Sequence, residues 1–331
     1  MNLQRRHAVL RKLMGIHRLD SLLVSSREDI FYYTGYKAVE GNLLVIHNSG
    51  KPALFVSPLE NDAESVRSVE LIYLKSIDQI TKKLKSQLTG YDEFSLTANR
   101  FLNLHKHHVK LKKASSVMKK PREIKDSEEI EKIKKAISIT KKVLEEIKFY
   151  GKKEIEIANK IEAGFRLCGA DKAFDTIVCN GSASIHHMPG HTRIRKDKPT
   201  IFDLGAKWDW YCCDITRTYI GKPDKKWQKI WEDVSSIQQE VIDSVKPGIT
   251  MEELQAIYKK LASKNNYKVH HYFGHGIGLE VHEQITDKLK ENMVITVEPG
   301  VYLKHKGGVR IEDTILVGKR KPIILSKMID Y

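Results

Sequence analysis

Leu3, Leu10, Leu13 and Met14 recur on one face of residues 1–17, the spacing of an amphipathic helix. Asp20–Val24 follows as a strand, and Ile30–Thr34 is a short apolar run closed by Gly35. Leu43–Ile46 and Ala53–Val56 read as two strands around the turn Asn48–Lys51. Val66–Tyr73 reads as the end of a helix and then a strand. This alternation predicts a small α/β domain. The lysine-dense stretch Val109–Lys125, with Pro121 inside it, predicts a linker near 118–125. Beyond it, Ile130, Ile133, Ala136, Ile137, Ile139 and Val143 form a helical stripe, so a long helix is expected over Ser127–Phe149, ended by Gly151. A second helix is expected over Ile155–Phe165.

From Thr176 the period shortens. Thr176–Val178, Thr200–Leu204 and Asp214–Tyr219 are strand-like. A helix over 226–245 is broken by Pro247-Gly248, and Thr250 with Glu253 predicts a capping box for the next helix. Met293–Glu298 and Val309–Val317 are the last strands. The chain is therefore expected to divide into residues 1–120 and 121–331. The larger part carries an internal echo. Gly151-Lys-Lys-Glu-Ile precedes a helix and then Asp203; Gly248-Ile-Thr-Met-Glu precedes a helix and then, at nearly the same distance, Glu298. Two similar α/β halves lending carboxylates to one shared site would produce that echo.

A chain of 331 residues can bury one large core and a smaller one. No apolar run is long enough to cross a membrane, and residues 1–20 lack the apolar core of a secretion signal. Cys168, Cys179, Cys212 and Cys213 make no Cys-x-x-Cys pair, which argues against a four-cysteine zinc site. They read as buried thiols of a cytoplasmic protein. The formal charge of +15 is spread along the chain, without a zinc finger, an RNA-binding aromatic motif or a glycine-rich phosphate loop. A solvated basic surface is expected rather than a nucleic-acid face.

The chemistry concentrates in the second part. Asp203 sits in the apolar run Ile201–Leu204, where a lone carboxylate is costly. Gly205 permits a close backbone approach or a kink, and the residues after it can turn and bring Asp214 back beside Asp203. Two carboxylates in one apolar site call for a cation. Gly274 and Gly276 flank His275, and Glu298 and Glu312 each sit at or beside an apolar strand. Taken singly, Asp203 reads as well as a strand-end cap, and Glu312 as a partner of Arg310. Taken together, four carboxylates and one imidazole suit Mn2+, Co2+, Fe2+ or Zn2+, and two ions balance their charge better than one.

The stretches Asp203-Leu-Gly, Tyr211-Cys-Cys-Asp214-Ile-Thr-Arg-Thr, Gly274-His-Gly-Ile-Gly, Val297-Glu-Pro-Gly and Arg310-Ile-Glu-Asp resemble the five-ligand pattern of the pita-bread metallopeptidases. That family includes methionine aminopeptidase, aminopeptidase P and prolidase, and the likeness covers residues 125–320 of this chain. Ser26-Arg-Glu-Asp-Ile-Phe-Tyr-Tyr-Thr34-Gly35-Tyr looks like the strand and Thr-Gly turn of a creatinase-type N-terminal domain. Methionine aminopeptidases lack that domain, so the resemblance points to the proline-directed branch. It implies an α+β fold, a pita-bread catalytic domain with a smaller α/β creatinase-type N-terminal domain. The implied activity is hydrolysis of the Xaa-Pro bond of dipeptides, as in prolidase. Aminopeptidase P activity on longer peptides is the alternative, and a non-catalytic binding protein on the same fold a remote one.

The resemblance also implies roles. Two divalent ions, Mn2+ or Co2+ before Zn2+ or Fe2+, are expected on Asp203, Asp214, His275, Glu298 and Glu312, with Asp214 and Glu312 as bridges. Glu298 is expected to take a proton from the attacking water and give one to the leaving nitrogen. The loop Gly181–Pro189 maps His186, with His187 as second choice, onto a substrate-binding histidine, and His282 matches the other. Both are expected to donate to the substrate carbonyl. His271 is expected to line the proline pocket, Arg310 to orient a metal ligand or bind a dipeptide carboxylate, Tyr211 to bind substrate or hydrogen-bond near the metals, and Arg217 to support Asp214. A homodimer acting on Xaa-Pro dipeptides or short peptides follows, with no membrane and no nucleic acid as partner. Two departures bear on subsite shape: Cys213 stands where the family usually has Ser, and Gln284-Ile285 stands where a Pro often follows His-Glu.

Overall fold

The computed structural model describes residues 2–84, 87–222 and 224–327. Met1 of the expected first helix and residues 328–331 of the expected second domain lie outside the described residues. The chain forms two compact units that meet in sequence between Arg122 and Glu123. No helix among the described residues is long and apolar enough to cross a membrane.

The first unit is a six-stranded sheet with helices. Its elements in chain order are α1 (Leu3–Ile16), β1 (Ser21–Val24), α2 (Arg27–Thr34), β2 (Leu43–His47), β3 (Ala53–Val56), β4 (Glu70–Tyr73), α3 (Ile77–Leu84), β5 (Leu88–Tyr91), α4 (Ala98–Lys106), β6 (Lys110–Lys113) and α5 (Ser115–Lys119). The strand order is β4-β3-β2-β1-β5-β6, antiparallel across β1–β2–β3 and parallel in the outer pairs. Leu23, Val45, Phe55, Ile80, Leu84 and Leu104 fill one core.

Two expectations change here. Residues 30–34 form the end of helix α2, not a strand. Ser26 caps it by accepting the Asp29 N–H, and Gly35 ends it in the left-handed region at φ 77°. Residues 30–34 are all buried, so no polar face marks the helical period and the run imitates a strand. Nor is 118–125 a free linker. Tyr33 OH donates to the Met118 carbonyl at 2.6 Å, Tyr32 OH donates to that of Pro121 at 2.8 Å, and Arg122 pairs with buried Asp29 at 2.8 Å. Residues 123–125 belong to the second unit, where Glu123 and Lys125 are buried.

The second unit shows what the echo stands for. Its first half runs α6 (Ser127–Glu145), α7 (Glu154–Leu167), β7 (Asp171–Lys172), β8 (Ile177–Asn180), β9 (Pro199–Leu204), β10 (Ala206–Trp208), β11 (Tyr211–Cys212) and β12 (Ile215–Ile220). Its second half runs α8 (Lys225–Asp243), α9 (Met251–Lys264), β13 (Val294–Val297), β14 (Gly300–Leu303), β15 (Gly307–Arg310), β16 (Asp313–Leu316) and β17 (Ile323–Ile324). Helices α6 and α8 both have 19 residues, and α7 and α9 both have 14.

The turns between these helices match bond for bond. Gly151, at φ 79°, donates to the Ile194 carbonyl, and Ile194 donates back to Lys152. Gly248, at φ 97°, donates to the Leu289 carbonyl, and Leu289 donates back to Ile249. Thr250 and Glu253 make the expected capping box of α9. In each half an antiparallel strand pair, β9–β12 or β13–β16, is interrupted by a hairpin, β10–β11 or β14–β15. The run Val309–Val317, expected as one strand, therefore breaks at Ile311–Glu312 between β15 and β16.

Candidate metal centre

Four carboxylates stand at the entrances and exits of the two hairpins. Asp203 lies in β9 and Asp214 follows β11; Glu298 follows β13 and Glu312 follows β15. The repeat thus converts a chain-length spacing into a cluster in which each half gives two acids. Two of the close approaches require glycine. A Cβ on Gly205 would lie 1.8 Å from the Cys213 carbonyl oxygen, and one on Gly274 would lie 2.0 Å from that of Thr296. The second contact seats His275, whose N–H donates to Thr296 Oγ1 at 3.0 Å.

Asp214, His275 and Glu312 each offer a ligand atom to one common point, their atoms lying within 4.8 Å of one another. His275 Nε2 is 3.6 Å from Asp214 Oδ2 and 3.6 Å from Glu298 Oε1. Its Nδ1 faces the Gly276 carbonyl at 3.1 Å, an acceptor only, so the proton sits on Nδ1 and the Nε2 lone pair faces the acids. Asp203 Oδ1, Asp214 Oδ1 and Glu312 Oε1 are buried without a hydrogen-bond partner. Buried polar atoms are otherwise nearly always paired. Three orphan carboxylate oxygens beside a neutral imidazole are what a divalent-cation site with mixed O and N donors requires.

The electrostatics agree. Burial, and then the charge of the neighbouring acids, pushes Asp214 and Glu312 well above the usual carboxylate range. Burial, with Asp203 adding to it, raises Glu298 to about 8. Burial lowers His275 to about 4, assisted by His282. Without cations Asp214, Glu298 and Glu312 favour their protonated forms; cations favour the ionised ones.

The cluster forms the floor of a cavity of about 560 Å³. His186, His271 and His282 line it together with the apolar side chains of Phe174, Ile177, Ile185, Met188 and Pro189. The rings of His275 and His282 are 4.2 Å apart. His187 also reaches the lining, but its Nε2 is 2.9 Å from buried Glu154. His271 is fixed at both nitrogens: Nδ1 is 2.8 Å from the Tyr272 carbonyl and Nε2 3.0 Å from Tyr302 OH. Burial lowers it to about 4.

Arg310 is buried, and every nitrogen of its guanidinium has a partner. Nε donates to Thr216 Oγ1 at 3.1 Å, Nη1 to Tyr302 OH at 2.9 Å, and Nη2 to Asp203 Oδ2. As placed, it orients Asp203.

Tyr211 and Arg217 lie elsewhere than expected. Tyr211 is buried and does not line the cavity; its hydroxyl donates to Glu129 on α6 at 2.9 Å. Arg217 reaches away from Asp214 to Asp313 at 2.7 Å and to the carbonyls of Thr216 and Glu312. Tyr211→Phe should therefore leave kcat/KM within about threefold while lowering stability by about 1–3 kcal/mol, read by urea unfolding, because a buried acceptor loses a donor. A tenfold rise in KM with unchanged stability would return Tyr211 to the substrate.

Two residues with evident roles had no assignment from sequence. Thr216 donates to Glu312 Oε2 at 2.8 Å and accepts from Arg310, so it fixes both. The signal was available: Thr216 stands two residues after Asp214, where strand alternation repeats a face. Tyr302 links Arg310 to His271, and no local pattern marks it.

Residues 131–319 match metallopeptidase family M24, and residues 6–124 match the creatinase/prolidase N-terminal domain. The chain belongs to metallopeptidase family M24. A relative in this family, the Xaa-Pro dipeptidase of Pyrococcus furiosus, is 36% identical over 325 residues, covering 92% of this chain and 93% of the relative. The solved prolidase of Pyrococcus horikoshii OT3 superposes with a TM-score of 0.91 at 35% identity, covering 98% of this chain and 99% of that one. An X-Pro aminopeptidase of Thermotoga maritima MSB8 gives 0.87 at 29% identity, with 98% of each chain covered. The fold of this chain is α+β, with a pita-bread catalytic unit and a smaller creatinase-type unit, as the sequence motifs implied. Within it the Asp214–His275–Glu312 cluster is a metal-binding cluster.

Proposed function

We propose that this M24 chain hydrolyses the Xaa-Pro peptide bond, acting as a dipeptidase on Xaa-Pro substrates. The observation that carries the reading is the set of buried, partnerless carboxylate oxygens on Asp203, Asp214 and Glu312, which line the cavity together with His275. The likeness to the P. furiosus Xaa-Pro dipeptidase supports the choice of substrate.

Asp203, Asp214, His275, Glu298 and Glu312 would hold two divalent cations, Mn2+ or Co2+ foremost. Bound there, such ions acidify a water and polarise a carbonyl. The chain's own groups supply the remainder. Glu298 accepts the proton of the attacking water and returns one to the leaving proline nitrogen. His282 and His186 donate to the carbonyl oxygen as negative charge develops on it. His271 has both nitrogens engaged and presents its ring as a wall for the proline. Arg310 and Thr216 hold Asp203 and Glu312 in place. The homodimer and the cytoplasmic location are part of the same reading, and sedimentation of the purified chain tests the first.

The T. maritima likeness favours a second reading, an X-Pro aminopeptidase. A substrate panel run with each metal separates them. The expected result is hydrolysis of Ala-Pro with no cleavage of Ala-Pro-Ala-Ala; the reverse preference would establish the aminopeptidase. Retention of neither activity with any ion would reject both.

A further inference from the structure

The loop that carries His282 is held from outside by a buried ion pair. Residues 123–125 run antiparallel to 292–293: Lys125 N–H donates to the Asn292 carbonyl at 2.9 Å, and Ile124 bridges to Met293. In extended backbone, residues two apart share a face. Glu123 and Lys125 accordingly both reach the segment 279–286, while Ile124 is partly exposed. Glu123 Oε1 accepts from Thr286 N–H at 3.1 Å and from its hydroxyl at 2.9 Å. Lys125 Nζ lies 3.0 Å from Glu283 Oε2, with the two side chains 3% and 8% exposed.

Glu283 is the centre around which the loop folds. Its other oxygen accepts the N–H groups of Leu279 at 3.0 Å and Glu280 at 3.4 Å. Gly278 packs so close to this carboxylate that a Cβ there would lie 2.7 Å from it. The backbone of Glu283 also closes the loop, exchanging hydrogen bonds of 2.8 and 3.1 Å with Gly276. His275 precedes Gly276, and His282 precedes Glu283. The same rung therefore sets the 4.2 Å spacing of the two imidazoles. A cation this buried is costly unless paired, and removing it takes the compensating charge from the Oε2 side of the Glu283 carboxylate.

We propose that Lys125 is a positioning residue, fixing through Glu283 the loop that presents His282 to the cleft. The inference rests on the reading of His282 as a group that touches substrate. The test is a cycle of K125M, K125R, E283Q, H282A and K125M/H282A in the metal-loaded full chain with Ala-Pro as substrate. Amide exchange on the metal-free protein accompanies it. K125M should lower kcat about 30-fold with KM within about threefold, the scale of a small misplacement of a reacting group. K125R should recover most of that loss. In the H282A background K125M should cost nothing more. Exchange of the Gly276 and Glu283 amides should accelerate in K125M and stay unchanged in H282A.

A K125M loss that persists in the H282A background, or wild-type kcat in K125M beside a slow H282A, would overturn the proposal alone. Wild-type kcat in H282A would overturn the reading of His282 and the proposal with it. Should K125M fail to fold, E283Q carries the same cycle, since it keeps an oxygen for Leu279 and Glu280 and replaces the oxygen facing Lys125 by an amide NH2, which breaks the pair.

Discussion

Replacing Asp214 by Asn should abolish turnover and, in the metal-free protein, raise the melting temperature. The two effects have one origin. Asp214 is buried against Glu312, Asp203 and Glu298, and one of its oxygens has no partner. An Asn there removes a charge that a cation needs, and kcat should fall on the order of 10⁴-fold, as for members of a catalytic unit that act together. Without the cation Asp214 must take up a proton to stay buried, which costs stability at neutral pH. A neutral amide needs no proton and can donate to a neighbouring carboxylate, so the chelated variant should gain about 1–3 kcal/mol. Differential scanning with chelator, paired with metal titration, reads both; a chelated variant that melts below the wild type would contradict the account.

The sign carries over to pH. Burial holds Glu298 at about 8 in the folded chain, against 4.5 for the ordinary group, and it raises Asp214 and Glu312 in the same direction. A raised carboxylate favours folding most when it is protonated. Its stability contribution is therefore fully present below about pH 4.5 and is lost as the pH rises to about 8. Cations bind the ionised acids and compete with the same protons. The gap in melting temperature between metal-loaded and chelated protein should widen steadily from pH 5 to pH 8. A constant or narrowing gap would count against the cluster as the metal site.

Gly205→Ala should be the most damaging single methyl in the second unit. Its Cβ would lie 1.8 Å from the Cys213 carbonyl oxygen and 2.7 Å from the carbon. Both are backbone atoms, so no side chain can swing aside. Relief requires separating β9 from the turn that delivers Asp214, and we expect a loss above about 4 kcal/mol or failure to fold. Gly151→Ala is the control. It meets open space but has φ 79°, so its cost is conformational only, about 1 kcal/mol. Urea unfolding of both variants checks the order; equal losses would mean that the close approach carries no weight.

Much of this site could be read from the chain because its chemistry is local. Asp203, His275 and Glu298 are anomalous in their immediate surroundings: an acid in an apolar strand, an imidazole between glycines, an acid ending a strand. The echo around Gly151 and Gly248 was legible for a similar reason, since a left-handed turn followed by a capped helix leaves short-range marks. What stayed hidden depends on partners far along the chain. Arg310 reads equally as the support of a metal ligand or as a cation for a dipeptide carboxylate until Thr216, Tyr302 and Asp203 are seen around it. Lys125 reads as one more linker lysine until Glu283 is found beside it. Tyr211 reads as a neighbour of the metals from adjacency alone, whereas its hydroxyl turns to Glu129 on α6. Helix α2 imitates a strand because residues 29–34 are all buried, which erases the period that would announce it.

The division of the acids between the two repeats also governs when the centre can exist during synthesis. Asp203 and Asp214 emerge first, and Glu298, Arg310 and Glu312 follow about a hundred residues later. At roughly 5–20 residues per second, that is an interval of some 5–20 s on the ribosome. For most of it the growing chain offers an ion two of the five expected donors, His275 joining only later, and Asp203 lacks the arginine that will hold it. On the reading that Glu312 completes the centre, a cleft able to cut a peptide bond arises only once that residue has been made, so the order of residues along the chain delays the active centre until its own enclosing strands are ready to fold.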